Sequence, residues 1–290
     1  MKIITAVVNN PIFIEIQYYT LQKYCQGNYE FIVFNDAKDF PDFTNGNDIT
    51  IKQQIIDICK QLNIQCINIP NEHHKQNKNA AIRCADSMNY ILSYQKKNPD
   101  KYLLLDSDMF LVDFFDIDKY SNYDCAILLQ SRYDGQLNYF WNGIYYFDFH
   151  KMKNVELLNW NICNGCDVGG MTKEWLKIQL GNTPTPNTDE IRWADINKTF
   201  HTNDIYFIRH LWSCTWNMTE LPSNLQKPKY EKIIDFIKTD VRNPSNDKFF
   251  CEIYDNVFLH YRAGGNWREE GMDLHKRMSL QLKDCILSTL

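Results

Sequence analysis

The amino-acid sequence predicts an α/β fold in which a mainly parallel central sheet, flanked by helices, is followed by a more mixed second half. Three observations support this prediction. Strand-like and helix-like apolar patterns alternate through residues 1–130, and turn-forming Pro, Gly, Asn and Asp separate them. Residues 102–105 form a continuous apolar run, typical of a central strand that is buried on both faces. No repeat or linker divides the chain, so we expect one domain over residues 1–290.

The individual elements follow from the same patterns, in order along the chain. Short runs rich in β-branched and aromatic residues predict strands, and apolar residues spaced three or four apart predict helices. We expect a strand at 3–8, a helix at 12–24, a strand at 30–34, a helix at 51–62, a strand at 65–69, a helix at 79–94 and a strand at 102–105. The second half adds predicted strands at 125–130, 139–149, 249–254 and 257–261, and helices at 175–180, with Thr172 as N-cap, and at 272–290.

Composition restricts the classes of partner. The chain is 44% hydrophobic and 14% aromatic, which a disordered chain is not. A net charge of −5 argues against a nucleic-acid partner, because binding nucleic acid requires a clustered basic field. No stretch approaches the roughly 18 apolar residues of a membrane span. Sequence therefore favours a globular protein that binds neither nucleic acid nor a bilayer.

The cysteines and the apolar run at the start of the sequence indicate the cellular compartment. Many of the 10 cysteines lie inside apolar runs, as reduced, buried cysteines do in the cytosol. The apolar run before Asn9 is too short for a secretory signal. We therefore expect a cytoplasmic protein. The pair Cys163 and Cys166 lacks a second, correctly spaced pair, so we interpret it as structural rather than as a zinc or redox site.

Two polar segments precede the central strand. On the helix predicted at 79–94, Asn79, Arg83 and Asp86 cluster on one side, which is either a solvated face or a polar edge that faces a ligand. His73 and His74 follow Pro70 in a polar stretch, which we interpret as a mobile loop.

The residues after the apolar run at 102–105 carry the strongest chemical signal. Asp106 and Asp108 emerge two positions apart where a buried strand ends. Burying either carboxylate without a partner would cost several kcal/mol, so we expect both to face a cleft, a cation or a counter-charge. Carboxylate oxygens at this spacing suit Mg²⁺ or Mn²⁺. An ordinary polar loop is the alternative interpretation.

With this motif the sequence resembles the GT-A class of nucleotide-sugar glycosyltransferases, of virus-encoded or bacterial type, in which an Asp-x-Asp follows a central strand. Other segments resemble the family in the expected order. They are Asn35-Asp36, the helix around residues 79–86, Phe140-Trp141-Asn142-Gly143, Cys166-Asp167-Val168-Gly169-Gly170 and the segment from His260 to Trp267. The resemblance implies a Rossmann-like fold, with a nucleotide-sugar-binding half at 1–130 and an acceptor-side half at 131–290.

The resemblance also implies a function and a metal site. It implies transfer of a sugar from a nucleotide-diphosphate donor, UDP being the class-based expectation, to a hydroxyl of a glycan or glycoprotein. Asp106, Asp108 and His260 are the implied ligands of Mn²⁺ or Mg²⁺, and the imidazole favours Mn²⁺. A late metal-binding histidine resembles the retaining members, which favours retention.

The remaining site residues divide into a donor group and an acceptor group. The donor group comprises Thr5, Ala6, Val8, Asn9, Asp36, Asn79, Arg83, Ser107, Arg262, Gly264 and Gly265, besides the two aspartates. On the acceptor side, Asp167 is the first choice and Asp148 the rival for the carboxylate that orients or deprotonates the acceptor hydroxyl. The sugar pocket is expected to include Trp141, Asn142, Gly169 and Trp267.

Three other functions remain open from the residues alone. A haloacid-dehalogenase-type phosphatase also places an Asp-x-Asp after an apolar strand, although usually near the N-terminus. A sugar nucleotidyltransferase would require a Gly-rich, basic phosphate loop after the first strand, where this chain has Asn9, Asn10 and Pro11. A cation- or glycan-binding module would keep the metal without a nucleotide pocket. Nucleoside diphosphate binding that depends on Mn²⁺ separates the transferase from the phosphatase and from the binding module.

Overall fold

The computed structural model describes residues 1–40, 48–163, 165–193, 198–211, 221–240, 251–262 and 272–290. The elements of the first half are β1 (Lys2–Val7), α1 (Ile12–Tyr24), β2 (Cys25–Gln26), β3 (Glu30–Asn35), α2 (Ile51–Gln61), β4 (Gln65–Asn68), α3 (His73–Gln76), α4 (Ala80–Lys97) and β5 (Lys101–Leu105). They are followed by β6 (Met109–Leu111), β7 (Phe115–Asp116), β8 (Cys125–Arg132), β9 (Leu137–Asp148), α5 (Lys173–Leu180), α6 (Thr188–Trp193), β10 (His201–Thr202), β11 (Ile205–Phe207), β12 (His210–Leu211), α7 (Glu231–Thr239), β13 (Glu252–Tyr254), β14 (Phe258–His260) and α8 (Met272–Leu287).

An eight-stranded sheet in the order β10-β11-β8-β9-β5-β1-β3-β4 forms the centre of the molecule. The strands β5, β1, β3 and β4 are mutually parallel, so their carboxyl ends lie at one edge. The strand β9 runs antiparallel to both β5 and β8, and this mixed pairing belongs to the second half. The predicted fold class, a Rossmann-like and mainly parallel sheet flanked by helices with a mixed second half, is therefore confirmed.

Apolar side chains on the two faces of the sheet form two cores. Along β1, Ile3 and Val7 belong to one core, and Ile4 belongs to the other. The helices α1 and α2 cover the first face, and α4 and α5 cover the second. Each fully buried aliphatic side chain contributes about 1.5–3 kcal/mol, whereas a surface ion pair such as Lys2 with Asp100 contributes about 0–1 kcal/mol. Apolar burial therefore dominates the stability of the sheet.

A second, four-stranded sheet in the order β12-β13-β14-β6 joins the end of the chain to its middle. The strand β14 pairs antiparallel with β6, and His260 lies opposite Met109. The Tyr261 amide donates a hydrogen bond of 2.8 Å to the Asp108 carbonyl. A third apolar core, which includes Phe13, Phe110 and side chains of α7 and α8, packs against this sheet. This pairing brings His260 beside Asp108.

Most predicted elements are present, with small shifts at their ends. The helix α1 has the predicted bounds, and α4 continues to Lys97, just before the Asn98-Pro99 pair that disfavours further helix. Thr172 does occupy the N-cap of α5, but its hydroxyl donates to the Gly169 carbonyl instead of capping the helix. The strand predicted at 249–254 begins outside the described residues. Among the helices that the structure describes, none has the length and apolar character needed to cross a bilayer.

The prediction of a mobile loop at His73 and His74 is wrong. Both residues begin the short helix α3, and both side chains are buried. The physical reason is a buried carboxylate: Asp36, at the end of β3, lies within hydrogen-bonding distance of both imidazole rings. A polar sequence predicted exposure here because the partner lies 37 residues earlier in the chain.

Candidate functional site

A cavity of about 820 Å³ lies at the carboxyl ends of the parallel strands β1, β3 and β5. This is the edge at which open α/β sheets bind ligands. The strand β9 starts at the same edge because it runs antiparallel to β5. The polar and charged residues that line the cavity are Asn9, Asp36, His74, Arg83, Ser87, Asp106, Ser107, Asp108, Gln130, Arg132, Asn142, Asp167, Glu252, His260 and Arg262.

The turn that carries the two aspartates is held in place from several sides. The Asp106 amide donates to the Gly143 carbonyl at 2.7 Å, and the Ser107 amide donates to Asp106 Oδ1 at 2.8 Å. From α1, the buried side chain of Gln17 donates to the carbonyls of Asp106 (2.8 Å) and Met109 (3.1 Å). A buried carbonyl without a partner is destabilising, so Gln17 fixes the backbone that aims both carboxylates at the cavity.

His260 meets these carboxylates at the floor of the cavity. Its Nε2 atom lies 3.1 Å from Asp108 Oδ1, and its Nδ1 atom lies 2.7 Å from Glu252 Oε2. The hydroxyl of Tyr254 donates to the same Glu252 oxygen at 2.5 Å. One ligand atom from each of Asp106, Asp108 and His260 lies within 4.8 Å of the others. A carboxylate behind a histidine fixes the ring orientation and the tautomer, as in many metal sites.

The electrostatics of the cluster favour a cation. Burial and the neighbouring carboxylate of Asp108 raise the pKa of Asp106 to about 7. Burial alone would lower the pKa of His260, but the carboxylates of Asp108 and Glu252 raise it well above its usual range. Burial would raise the pKa of Glu252, but the bonds from His260 and Tyr254 lower it to about 2. Three carboxyl groups thus share one imidazole, and a divalent cation would neutralise the excess negative charge.

The donor set fits Mn²⁺ or Mg²⁺. Adjacent ligands of an octahedral ion, each about 2.1 Å from it, are about 3.0 Å apart. The separation of 3.1 Å between His260 Nε2 and Asp108 Oδ1 matches that spacing. Two carboxylates satisfy a hard cation, and the imidazole favours Mn²⁺ over Mg²⁺. Asp106, Asp108 and His260 could therefore hold such an ion with open positions toward the cavity.

Most of the residues singled out from sequence line this one cavity. They are Ala6, Val8, Asn9, Asp36, Arg83, Asp106, Ser107, Asp108, Trp141, Asn142, Asp167, His260 and Arg262. The carboxylate of Asp167 is near enough to contribute to the raised pKa of Asp106. Trp141 presents its ring 5.2 Å from the His260 ring. Gly264, Gly265 and Trp267 lie outside the described residues.

Thr5 and Asn79 do not line the cavity, contrary to prediction. Thr5 is fully buried in β1 on the side shared with Ile3 and Val7, because side chains alternate along a strand and Ala6 takes the cavity side. Asn79 is the N-cap of α4, and its side chain accepts a hydrogen bond of 2.9 Å from the Ala81 amide. The polar edge predicted on this helix contributes only Arg83 to the cavity, and that guanidinium donates to the carbonyls of Asn77 and Lys78.

Asp148 and Gly169 also do not line the cavity, contrary to prediction. Asp148 lies opposite Lys101, at the far end of β5 from Asp106, because β9 runs antiparallel to β5. Its carboxylate accepts a hydrogen bond from the His150 amide and stabilises a turn. Gly169 has a φ of +96°, and an added Cβ would lie 2.3 Å from the Phe140 carbonyl oxygen. This glycine therefore permits close backbone packing beneath Asp167.

Sequence reasoning missed Glu252 and Tyr254. The turn between β13 and β14 contains Asp255 and Asn256 with φ of 45° and 63°, and an Asp-Asn pair between two apolar runs is a hairpin signal. That hairpin places Glu252 directly opposite His260. Using the turn as a register marker would have identified Glu252 as the partner of the histidine.

No family model matches the sequence, and no curated protein matches it. Among solved structures, the chain is similar to the galactosyltransferase LgtC in complex with donor and acceptor sugar analogs, with a TM-score of 0.36 and 15% identity over 55% of this chain and 62% of that chain. A structure of an active-site mutant of LgtC gives a TM-score of 0.37 and 16% identity over 54% and 61%. The match thus spans less than two thirds of the LgtC chains, and similarity at this level does not assign a function.

Proposed function

We propose that the chain is a metal-dependent glycosyltransferase that moves a sugar from a nucleotide-diphosphate donor, with UDP as the expected nucleotide, to a hydroxyl of a glycan or glycoprotein. The observation that carries the proposal is the cluster of Asp106, Asp108 and His260, with its excess negative charge, in a cavity at the carboxyl ends of the parallel strands. A diphosphate requires a cation at such a site, and the cavity extends from it toward both β1 and β8.

The donor side is assigned to the residues after β1, β3 and β5. The backbone near Ala6, Val8 and Asn9 would line the nucleoside end, beside Asp36. A bound Mn²⁺ or Mg²⁺ would neutralise the charge that develops on the diphosphate as its bond to the sugar breaks. Asp108 and His260 would hold the ion, and Glu252 would hold the imidazole in place. Arg262 would bind a phosphate oxygen, and Gly264 and Gly265 would let backbone amides approach the diphosphate.

The acceptor side is assigned to residues of β9 and of the loop before α5. Asp167 is the proposed carboxylate that orients the incoming hydroxyl or accepts its proton. The flat ring of Trp141 would pack against the C–H face of a sugar, with Asn142 beside it and Trp267 as a further proposed contact. We keep retention of anomeric configuration as the favoured outcome, and the division into a donor half at 1–130 and an acceptor half at 131–290, as parts of this proposal.

A thermal-shift screen of nucleotide sugars tests the proposal. A cognate donor should raise the Tm only when Mn²⁺ is present, because a ligand that binds the folded chain stabilises it in proportion to its affinity. The Asp108→Asn variant should show no Mn²⁺-dependent rise. If no nucleotide sugar shifts the Tm, and phosphate monoesters are hydrolysed instead, the phosphatase alternative replaces the proposal.

A further inference from the structure

A second cluster of ligand-type side chains borders the same cavity, apart from the first. It consists of Asp36 at the end of β3 and of His73 and His74 in α3. One ligand atom from each of the three lies within 4.8 Å of the others, and all three side chains are buried. The side chain of Asn71 donates to the Ala37 carbonyl at 2.8 Å and ties the start of α3 to the end of β3. The chain thus builds this cluster from two neighbouring connections at the carboxyl edge of the sheet.

The spacing of the cluster matches a small metal ion. Asp36 Oδ2 lies 3.3 Å from the Nε2 atom of each histidine, and Asp36 Oδ1 lies 3.1 Å from His73 Nε2. Ligands about 2.05 Å from a tetrahedral zinc ion are about 3.3 Å apart. The separations between the Asp36 carboxylate and each imidazole are therefore compatible with two ligands of one zinc ion.

One buried ring nitrogen of the cluster lacks a hydrogen-bond partner. His74 Nδ1 is buried and makes no hydrogen bond, although buried polar atoms nearly always do. The other ring nitrogen, His74 Nε2, lies 3.0 Å from the Asp36 backbone carbonyl oxygen. The Ser87 hydroxyl donates to Asp36 Oδ2 at 2.5 Å and orients the carboxylate. Ser87 thus orients the carboxylate, and one ring nitrogen of His74 has no partner.

The donor set differs from that of the first cluster in chemical type. Two imidazoles and one carboxylate suit zinc and similar borderline ions, whereas two carboxylates and one imidazole suit Mn²⁺ and Mg²⁺. Three protein ligands leave the fourth tetrahedral position open, and the cavity is lined by Asp36 and His74. We propose that Asp36, His73 and His74 form a second metal site, which binds a zinc-type ion with its open position toward the cavity. This site is separate from the cluster that carries the proposed function, although Asp36 also lies on the proposed donor side.

The test uses the full chain, stripped of metal and titrated with Zn²⁺ by calorimetry. The Asp108→Asn variant removes the first site, and it should still bind one Zn²⁺ per chain. In that background His73→Gln and His74→Gln should each weaken Zn²⁺ binding by more than the roughly 10- to 100-fold that loss of a supporting residue causes. Ser87→Ala should weaken binding by about 10-fold, because it removes only the support of Asp36. His150→Gln, at an exposed histidine, is the matched control and should change nothing.

A spectroscopic measurement keeps the test valid if a histidine variant fails to fold. Binding of Zn²⁺ to the Asp108→Asn chain should shift the NMR signals of the ring nitrogens of His73 and His74 and leave those of His150 unchanged. With Co²⁺ as the probe, visible d–d bands should appear without a thiolate charge-transfer band. The proposal is overturned if the Asp108→Asn chain binds no Zn²⁺, if the histidine variants bind it normally, or if a thiolate band shows that cysteines hold the ion.

Discussion

Two clusters of carboxylates and imidazoles border one cavity, and the chain assembles them in different ways. Asp108 and His260 meet because β14 pairs with β6, so residues far apart in sequence become neighbours. Asp36 and His73 meet because β3 and β4 are adjacent parallel strands whose connections end at one edge. The first cluster depends on the second sheet, and the second cluster depends on the parallel strands β3 and β4. Their donor sets differ too, so we expect separate metals and separate sensitivities to mutation.

The largest expected effect is a loss of sugar transfer when a carboxylate of the first cluster is replaced, compared with replacement of a carboxylate outside the cavity. Asp108→Asn should lower sugar transfer by about 100-fold or more, because it removes charge where the diphosphate cation would be held. Asp148→Asn is the matched control, since that carboxylate stabilises a turn at the opposite edge of the sheet. Initial rates with the cognate donor measure both variants. Equal losses in the two variants would contradict the assignment of the site.

A smaller effect, on Mn²⁺ binding, is expected when Glu252, the carboxylate behind His260, is replaced. Glu252→Gln should weaken Mn²⁺ binding by about 10- to 100-fold, because it loosens the orientation and lowers the basicity of His260. Tyr254→Phe removes only one bond to Glu252 and should have a lesser effect. Metal titrations of each purified variant measure the change. Zn²⁺ binding at Asp36, His73 and His74 should remain as in the wild type, and a parallel loss there would mean that the two clusters are coupled.

The metal-free chain should show a pH dependence that originates in the first cluster. The pKa of Asp106 is raised to about 7, whereas an unfolded aspartate titrates near 4. Because the folded chain binds the extra proton, the free energy of unfolding should fall as the pH rises from about 4 to about 7. Asp106→Asn should remove this decline, which we expect to be about 1–3 kcal/mol after solvent screening. Urea unfolding across this pH range in the presence of a chelator checks it, and an unchanged slope in the variant would exclude Asp106 as its source.

The smallest expected effects come from the two residues that brace the backbones of the clusters. Gln17→Leu removes two bonds to the Asp106–Met109 turn and should destabilise the fold by about 1–3 kcal/mol, with weaker Mn²⁺ binding. Asn71→Ala removes the bond to the Ala37 carbonyl and should weaken Zn²⁺ binding instead. Titrations of both ions with both variants measure the contrast. If each variant weakened the binding of both ions equally, the two clusters would not be independent.

The sequence predicts those parts of the two clusters that are local in the chain, and it does not predict the parts that depend on long-range pairing. The strand before Asp106 is a continuous apolar run, so the end of that strand and its aspartates are local features of the sequence. Only the family resemblance implies His260, because local patterns do not predict the pairing of β14 with β6. The polar sequence predicts a mobile loop at His73 and His74, because it does not show that these side chains will pair with a buried carboxylate 37 residues before His73.

The remaining errors follow from strand alternation and direction. Thr5 and Ala6 are adjacent, but their side chains lie on opposite faces of β1, and only the face of Ala6 borders the cavity. Asp148 belongs to the same strand as Trp141 and Asn142, yet an antiparallel strand of 12 residues takes its two ends to opposite edges of the sheet. Neither error was avoidable without knowing which face and which edge the cavity occupies.

Calorimetric titration of wild type and Asp108→Asn with UDP, with and without Mn²⁺, measures whether Asp108 binds the ion that would hold the diphosphate. Wild type should bind UDP much more tightly with Mn²⁺ than with a chelator present. Asp108→Asn should show no such difference and should keep its Tm in metal-free buffer. Binding of UDP that is indifferent to Mn²⁺ in the wild type, or an undiminished Mn²⁺ effect in Asp108→Asn, would contradict the proposal.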